Sequence, residues 1–148
     1  MRTIHHVLDI DATKSNVWSA LTVPDRMAGW WSTKVTSPPA AVGAVVNWTF
    51  VEPFNPDMEI TELKEHELLE WKCVGGHQNW ADNLFRFELA QLADGRTRLR
   101  FWQEYATELS DDDFGVYNFN WGYYLESLRL FCSTGTGKPF DVEAGATR

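Results

Sequence analysis

Positive charge is scarce in this chain: 13 Lys and Arg stand against 21 Asp and Glu, for a net charge of −8. Such a surface repels phosphate backbones and anionic lipid, which sets aside nucleic acid and membrane surfaces as partners. No Lys/Arg cluster runs against this. Long apolar runs are missing too. No stretch approaches the roughly 20 apolar residues of a spanning helix, and Met1 to Ile10 lacks the apolar run of a secretory signal. Cysteine is rare. Cys73 and Cys132 stand far apart with no Cys-x-x-Cys pair, the pattern of reduced thiols in a cytoplasmic protein, although sequence leaves a disulfide between them open. The histidines are His5, His6, His66 and His77. None pairs with another at i, i+4, so no metal site is read. There is no Gly-x-Ser-x-Gly. Gly135-Thr136-Gly137-Lys138 follows a helical stretch instead of opening one, so it reads as a helix stop and not as a phosphate loop. No catalytic residue and no cofactor is assigned.

Aromatic side chains, by contrast, are abundant: 8 Trp, 9 Phe and 4 Tyr in 148 residues. Trp and Tyr carry a polar atom that needs a partner when buried, so they gather where a core meets water or a ligand. The length suits one domain, expected over residues 1–140 with a loose tail over 141–148.

Periodicity sets the order of elements. Thr3 to Ile10 reads as a strand. Thr13 or Asp11 can cap a helix from Lys14 to Leu21, with Val17, Trp18 and Leu21 on one face. Pro24 suits the first turn of a second, short helix that turns Met27, Trp30 and Trp31 inward. Strands follow. Val46, Trp48 and Phe50 share a face between Ala44 and Phe50; Leu69, Trp71 and Cys73 share one in the hairpin Met58–Lys64 and Leu68–Val74. Asp82 to Leu92 puts Phe85, Phe87 and Leu89 on one side and Arg86 and Glu88 on the other. Asp94-Gly95 makes a hairpin turn into Thr97–Tyr105, with Leu99, Phe101 and Gln103 inward and Trp102 outward.

The last element is a helix from about Phe114 to Ser133, with Ser110 as its cap and Asp111, Asp112 and Asp113 at its positive end. Tyr117, Trp121, Leu125, Leu128 and Cys132 form its apolar stripe. Gly122 sits inside it at a cost of about 1 kcal/mol relative to Ala, for which close contact with a bulky neighbour is the expected reason. Strands segregated from helices argue an α+β fold. An antiparallel sheet of this size needs its apolar face covered, and only the C-terminal helix is long enough to cover it.

The run Val17-Trp18-Ser19-Ala20-Leu21-Thr22, then Pro24, then Trp30-Trp31, resembles the N-terminal signature of the START-like (SRPBCC) superfamily. Gly43 with Trp48-Thr49-Phe50, Glu70-Trp71, and the turn Asp94-Gly95-Arg96-Thr97-Arg98-Leu99 are similar too. So is the ending Trp121, Leu125, Leu128, then Gly135-Thr136-Gly137-Lys138-Pro139-Phe140. The likeness is greatest to the branch named after the activator of heat shock protein 90 ATPase. It implies a helix-grip fold, a curved sheet around a long C-terminal helix, with a hydrophobic cavity. Members of the superfamily bind lipids, hormones or polyketides, some are cyclases or aromatases, and the branch contains a co-chaperone domain. The superfamily has no universal catalytic motif to carry over. Ser110 to Asn120 departs from the usual pattern, being richer in Asp, Asn and aromatics.

Trp30, Trp48, Trp71, Phe85, Phe87, Phe101, Tyr117 and Trp121 are expected to converge between sheet and helix. They either fill that space themselves or enclose an apolar small molecule, with Gln103, Asn118, Tyr123 or His77 reading its polar end. An enzyme of cyclase type would need an ionisable wall residue, for which Glu62, Glu104 and His77 are the nominees. Cys73 and His77 could also pair as a nucleophile and base, but a buried core thiol is the plainer reading. Outward Trp102 with Arg100 admits a homodimer through the sheet face.

Overall fold

The computed structural model describes residues 2–147, of 146 and 147 the backbone alone. Strand β1 (Thr3–Ile10) leads to α1 (Lys14–Thr22) and α2 (Pro24–Met27). Strands β2 (Lys34–Thr36), β3 (Val45–Thr49), β4 (Asp57–Lys64), β5 (Leu68–Gly75), β6 (Leu84–Gln91) and β7 (Thr97–Glu104) follow, then α3 (Asp111–Thr134) and the short β8 (Phe140–Asp141) and β9 (Ala146–Thr147). The first seven strands form one sheet in the order β1-β7-β6-β5-β4-β3-β2, every pair antiparallel. Register shifts at Asp57/Met58 and Ile60/Glu62 bend the β4–β5 pair, as bulges do. This is the α+β helix-grip fold, with a curved sheet closed on one face by the 24-residue α3.

The alternation expected along the strands is present. In β5, β6 and β7 every second residue is buried, including Leu69, Trp71, Cys73, Phe85, Phe87, Leu89, Leu99, Phe101 and Gln103. Many outward neighbours carry charge: Arg86 bonds Glu62 at 2.8 Å and Glu88 at 2.7 Å across the solvent face. The caps also match their residues. Thr13 accepts from the Asn16 N–H at 3.1 Å, Ser110 accepts from the Asp113 N–H at 3.1 Å, and Gly135 closes α3 in the left-handed conformation.

Four features differ from the sequence reading. Strand β2 was not expected; three residues before a Pro-Pro break leave little pattern to see. A 3-10 turn, Gln78–Trp80, sits between β5 and β6 and buries Trp80. Helix α3 begins at Asp111, three residues early, because Ser110 caps it directly. Gly122 touches nothing bulky: a Cβ there would meet His6 Cε1 at 3.6 Å, an ordinary contact. Within the expected loose tail, β8 pairs with β9; Arg148 lies outside the described residues.

The chain after α3 is strapped back onto the start of the sheet. Ser127 Oγ donates to the Trp30 carbonyl at 2.8 Å and accepts the Lys138 N–H at 2.6 Å. The Phe140 N–H then donates to the Trp31 carbonyl at 2.8 Å. Gly137 passes this junction because a Cβ would lie 2.4 Å from the Gly29 carbonyl oxygen. The strap holds the Phe140 ring 5.6 Å from Phe50. Among the described residues no helix is long and apolar enough to cross a membrane.

Candidate functional site

Trp31 is the hub of the interior. Its ring lies 4.6 Å from Trp48, 4.9 Å from Trp121 and 5.1 Å from Phe50. Around it, Trp30, Trp48, Trp71, Phe85, Phe87 and Phe101 all have essentially no exposed surface. These rings interlock with each other: Trp71 on Phe87 at 4.9 Å, Phe87 on Phe101 at 5.0 Å, Phe101 on Trp121 at 4.3 Å. They fill the space between sheet and helix themselves.

The opening lies at one end of that interior, where the first half of α3 stands off from two loops. A cleft of about 520 Å³ is lined there by Trp31, Phe50, Val51, Phe54, Pro56, His77, Trp80, Asp113, Val116, Tyr117, Asn120, Trp121, Tyr124 and Phe140. Of the expected binding residues, Tyr117 and Trp121 reach it. Trp30, Trp48, Trp71, Phe85, Phe87, Phe101 and Gln103 lie in the packed core beside it. Asn118 is exposed, its Oδ1 accepting from His6 Nε2 at 3.0 Å. Tyr123 also faces solvent, packed edge-on against Tyr124.

The two loops are pinned by their backbone. The Asn55 N–H donates to the Gly76 carbonyl at 2.8 Å, and Asn55 Oδ1 accepts the Phe50 N–H at 2.9 Å. This sets Phe54 and Pro56 opposite His77. The His77 ring stacks on Trp80 with centroids 4.1 Å apart and meets Phe54 at a tilt, 4.9 Å away. Burial holds its pKa down to about 4, so the ring is neutral at pH 7. Its Nδ1 is buried with no hydrogen-bond partner among the described residues. Asn79 Nδ2 donates to the Tyr117 hydroxyl at 2.9 Å and fixes that ring across from Trp80.

Below the cleft lies a polar knot. The Trp121 indole N–H can only donate, so the Gln103 atom facing it at 2.7 Å is the oxygen. That turns the Gln103 amide nitrogen elsewhere, and among the described residues it finds no partner of hydrogen-bond geometry. The Trp80 N–H and the Tyr105 hydroxyl likewise lack a partner among the described residues, though Trp80 and Gln103 lie close enough to act on the phenol. Burial pushes the Tyr105 phenol up; Trp80 and Gln103 pull it down, and Tyr117 and Asp113 add smaller rises.

The groups weighed for chemistry separate. Glu62 is on the far face of the sheet with Arg86, and Glu104 is exposed. Cys73 and Cys132 are free and buried. Burial raises both thiols, Cys132 to about 11, so neither is a ready thiolate. Cys73 Sγ donates to the Gly75 carbonyl at 3.3 Å rather than meeting His77. No group of three or more metal-ligating side chains occurs among the described residues. Outward Trp102 is covered by His5, stacked at 4.7 Å.

Sequence reasoning passed over Trp80, Phe54 and Phe140 as wall residues. All three sit outside the long strands and helices, where periodicity carries no signal. The usable signal was their type: a large ring in a loop must be buried against something.

Comparison with known proteins gives one family match. The family described as Activator of Hsp90 ATPase homolog 1-like protein covers residues 11–131. No curated protein matches the chain. Among solved structures, the Aha1 dimer from Colwellia psychrerythraea is similar at 25% identity and a TM-score of 0.82, over 93% of this chain and 100% of that one. CalU16 from Micromonospora echinospora is similar at 21% identity and a TM-score of 0.71, over 90% and 78%. DynU16, of the dynemicin biosynthetic locus, is similar at 19% identity and a TM-score of 0.76, over 91% and 48%. The last two likenesses are of fold.

Proposed function

Because this chain belongs to the Activator of Hsp90 ATPase homolog 1-like family, we propose that it is a small-molecule binding domain taking an apolar or aromatic ligand between α3 and the loops before β4 and β6. The observation that carries the reading is the cleft itself. Its volume of about 520 Å³ falls in the range of ligand sites, roughly 300–1,000 Å³. Its walls are rings held rigid by the core behind them, so little order is lost when a ligand enters. A cytoplasmic location belongs to the same proposal, supported by two free thiols.

The test is a titration of intrinsic fluorescence against a panel of apolar and aromatic compounds. Trp31, Trp80 and Trp121 line the cleft, so a bound ligand changes their emission. Asn120→Trp, which places an indole in the opening, abolishes the response. Silence of the wild-type protein across the panel would sink the reading.

A second reading concerns assembly. Val116, Phe119 and Tyr123 are 56%, 75% and 37% exposed and follow one another along one face of α3. The similar Colwellia psychrerythraea protein is a dimer. A second copy meeting this face about a two-fold axis would cover the three side chains together. Sedimentation equilibrium should give a dimer that Phe119→Ser converts to monomer; a monomer at all concentrations would refute it.

A further inference from the structure

The cleft has a charge asymmetry that its apolar walls do not explain. Among the described residues no Lys or Arg lines it, and the one charged wall residue is Asp113. His77 adds no charge, being neutral at pH 7. Asp113 is exposed and makes no ion pair among the described residues, whereas its neighbour Asp111 is held by Arg2. The positive end of the α3 dipole points the same way, but it amounts to about half a charge. Asp112 and Asp113 together outweigh it.

The same cleft is lined by the rings of Tyr117, Trp121 and Tyr124, and by Trp80, one face of which is covered by His77. Ring faces attract a cation by about 0.5–2 kcal/mol, the larger figure when water is excluded. An anion entering the same space meets aromatic walls, the Asp113 carboxylate and, among the described residues, no basic wall residue.

We propose that the cleft selects organic cations: an aromatic or apolar body seated among the rings, with a protonated amine directed to Asp113. This rests on the binding reading and narrows it to a charge class. It sets the cleft against fatty acids and other carboxylates of equal size.

Three naphthalene probes of matched body separate the two readings by calorimetry at pH 7: 1-naphthylmethylamine, 1-naphthylmethanol and 1-naphthylacetate. The protonated amine should bind about tenfold tighter than the carboxylate, with the alcohol between them. Asp113→Asn should weaken the amine several-fold, leave the alcohol unchanged and strengthen the carboxylate. Circular dichroism verifies that this surface variant stays folded. Equal affinities, a preference for the carboxylate, or an order indifferent to Asp113→Asn would overturn the charge selection while leaving the binding reading intact. Failure of all three probes to bind removes the binding reading and this one with it.

Discussion

His77 lies flat on Trp80, their planes 3° apart and their centroids separated by 4.1 Å. The stack joins the end of β5 to the turn before β6 and makes one wall of the cleft. It also removes the imidazole from water, which is why the ring resists protonation.

That burial makes stability depend on pH. The ordinary histidine value is 6.5 and the folded value is about 4. Between them the unfolded chain binds the proton and the folded one does not. The contribution is complete above pH 6.5 and is lost as pH falls toward 4. Its size is on the order of 1–3 kcal/mol. His77→Phe keeps the stack and removes the titration. Denaturant melts at pH 7 and pH 4.5 should show a smaller loss for the variant; equal losses would contradict the assignment. Titrating carboxylates affect both proteins alike and cancel in the comparison.

Glycine positions should split in sign. At Gly76, φ is +76° and a Cβ would lie 1.9 Å from the Asn55 carbonyl oxygen. Gly76→Ala must move the loop carrying Phe54 and Pro56, so it should cost more than about 2 kcal/mol and weaken ligand binding. Gly115 meets nothing within 4 Å and Gly122 has only an ordinary contact. Gly115→Ala and Gly122→Ala should each stabilise by up to about 1 kcal/mol in thermal or chemical melts.

The Ser127 side chain joins α3 to both the Trp30 carbonyl and the Lys138 N–H. Ser127→Ala leaves a donor and an acceptor stranded at a junction where Ser127 is 1% exposed. A loss of about 1–3 kcal/mol is expected. Hydrogen exchange should quicken at Lys138 and Phe140 before it does in β6 and β7. Uniform quickening would mean that the strap is not a separate unit.

Trp121 and Gln103 should be coupled. A double-mutant cycle with Trp121→Phe and Gln103→Leu should return an interaction of about 1 kcal/mol or more, as expected for a buried donor–acceptor pair at 2.7 Å. A coupling near zero would show that the pair adds nothing net.

Sequence alone determined the strand faces, because alternation in β5, β6 and β7 is a local property of the pleat that burial then obeys. It determined the Ser110 cap and the long amphipathic α3, and narrowed the cap of α1 to Thr13 or Asp11, since these too are written within a few neighbouring residues. The convergence of the aromatic rings followed from those faces. What only the tertiary structure decided is whether those rings leave a hole. Trp30, Trp48 and Trp71 close on Trp31 and fill the middle, and the opening is displaced to where Phe54, His77, Trp80 and Phe140 meet. Those four come from loops and the strap, held by contacts between residues distant in the chain. Packing of that kind depends on volumes meeting across the fold, and no periodicity records it.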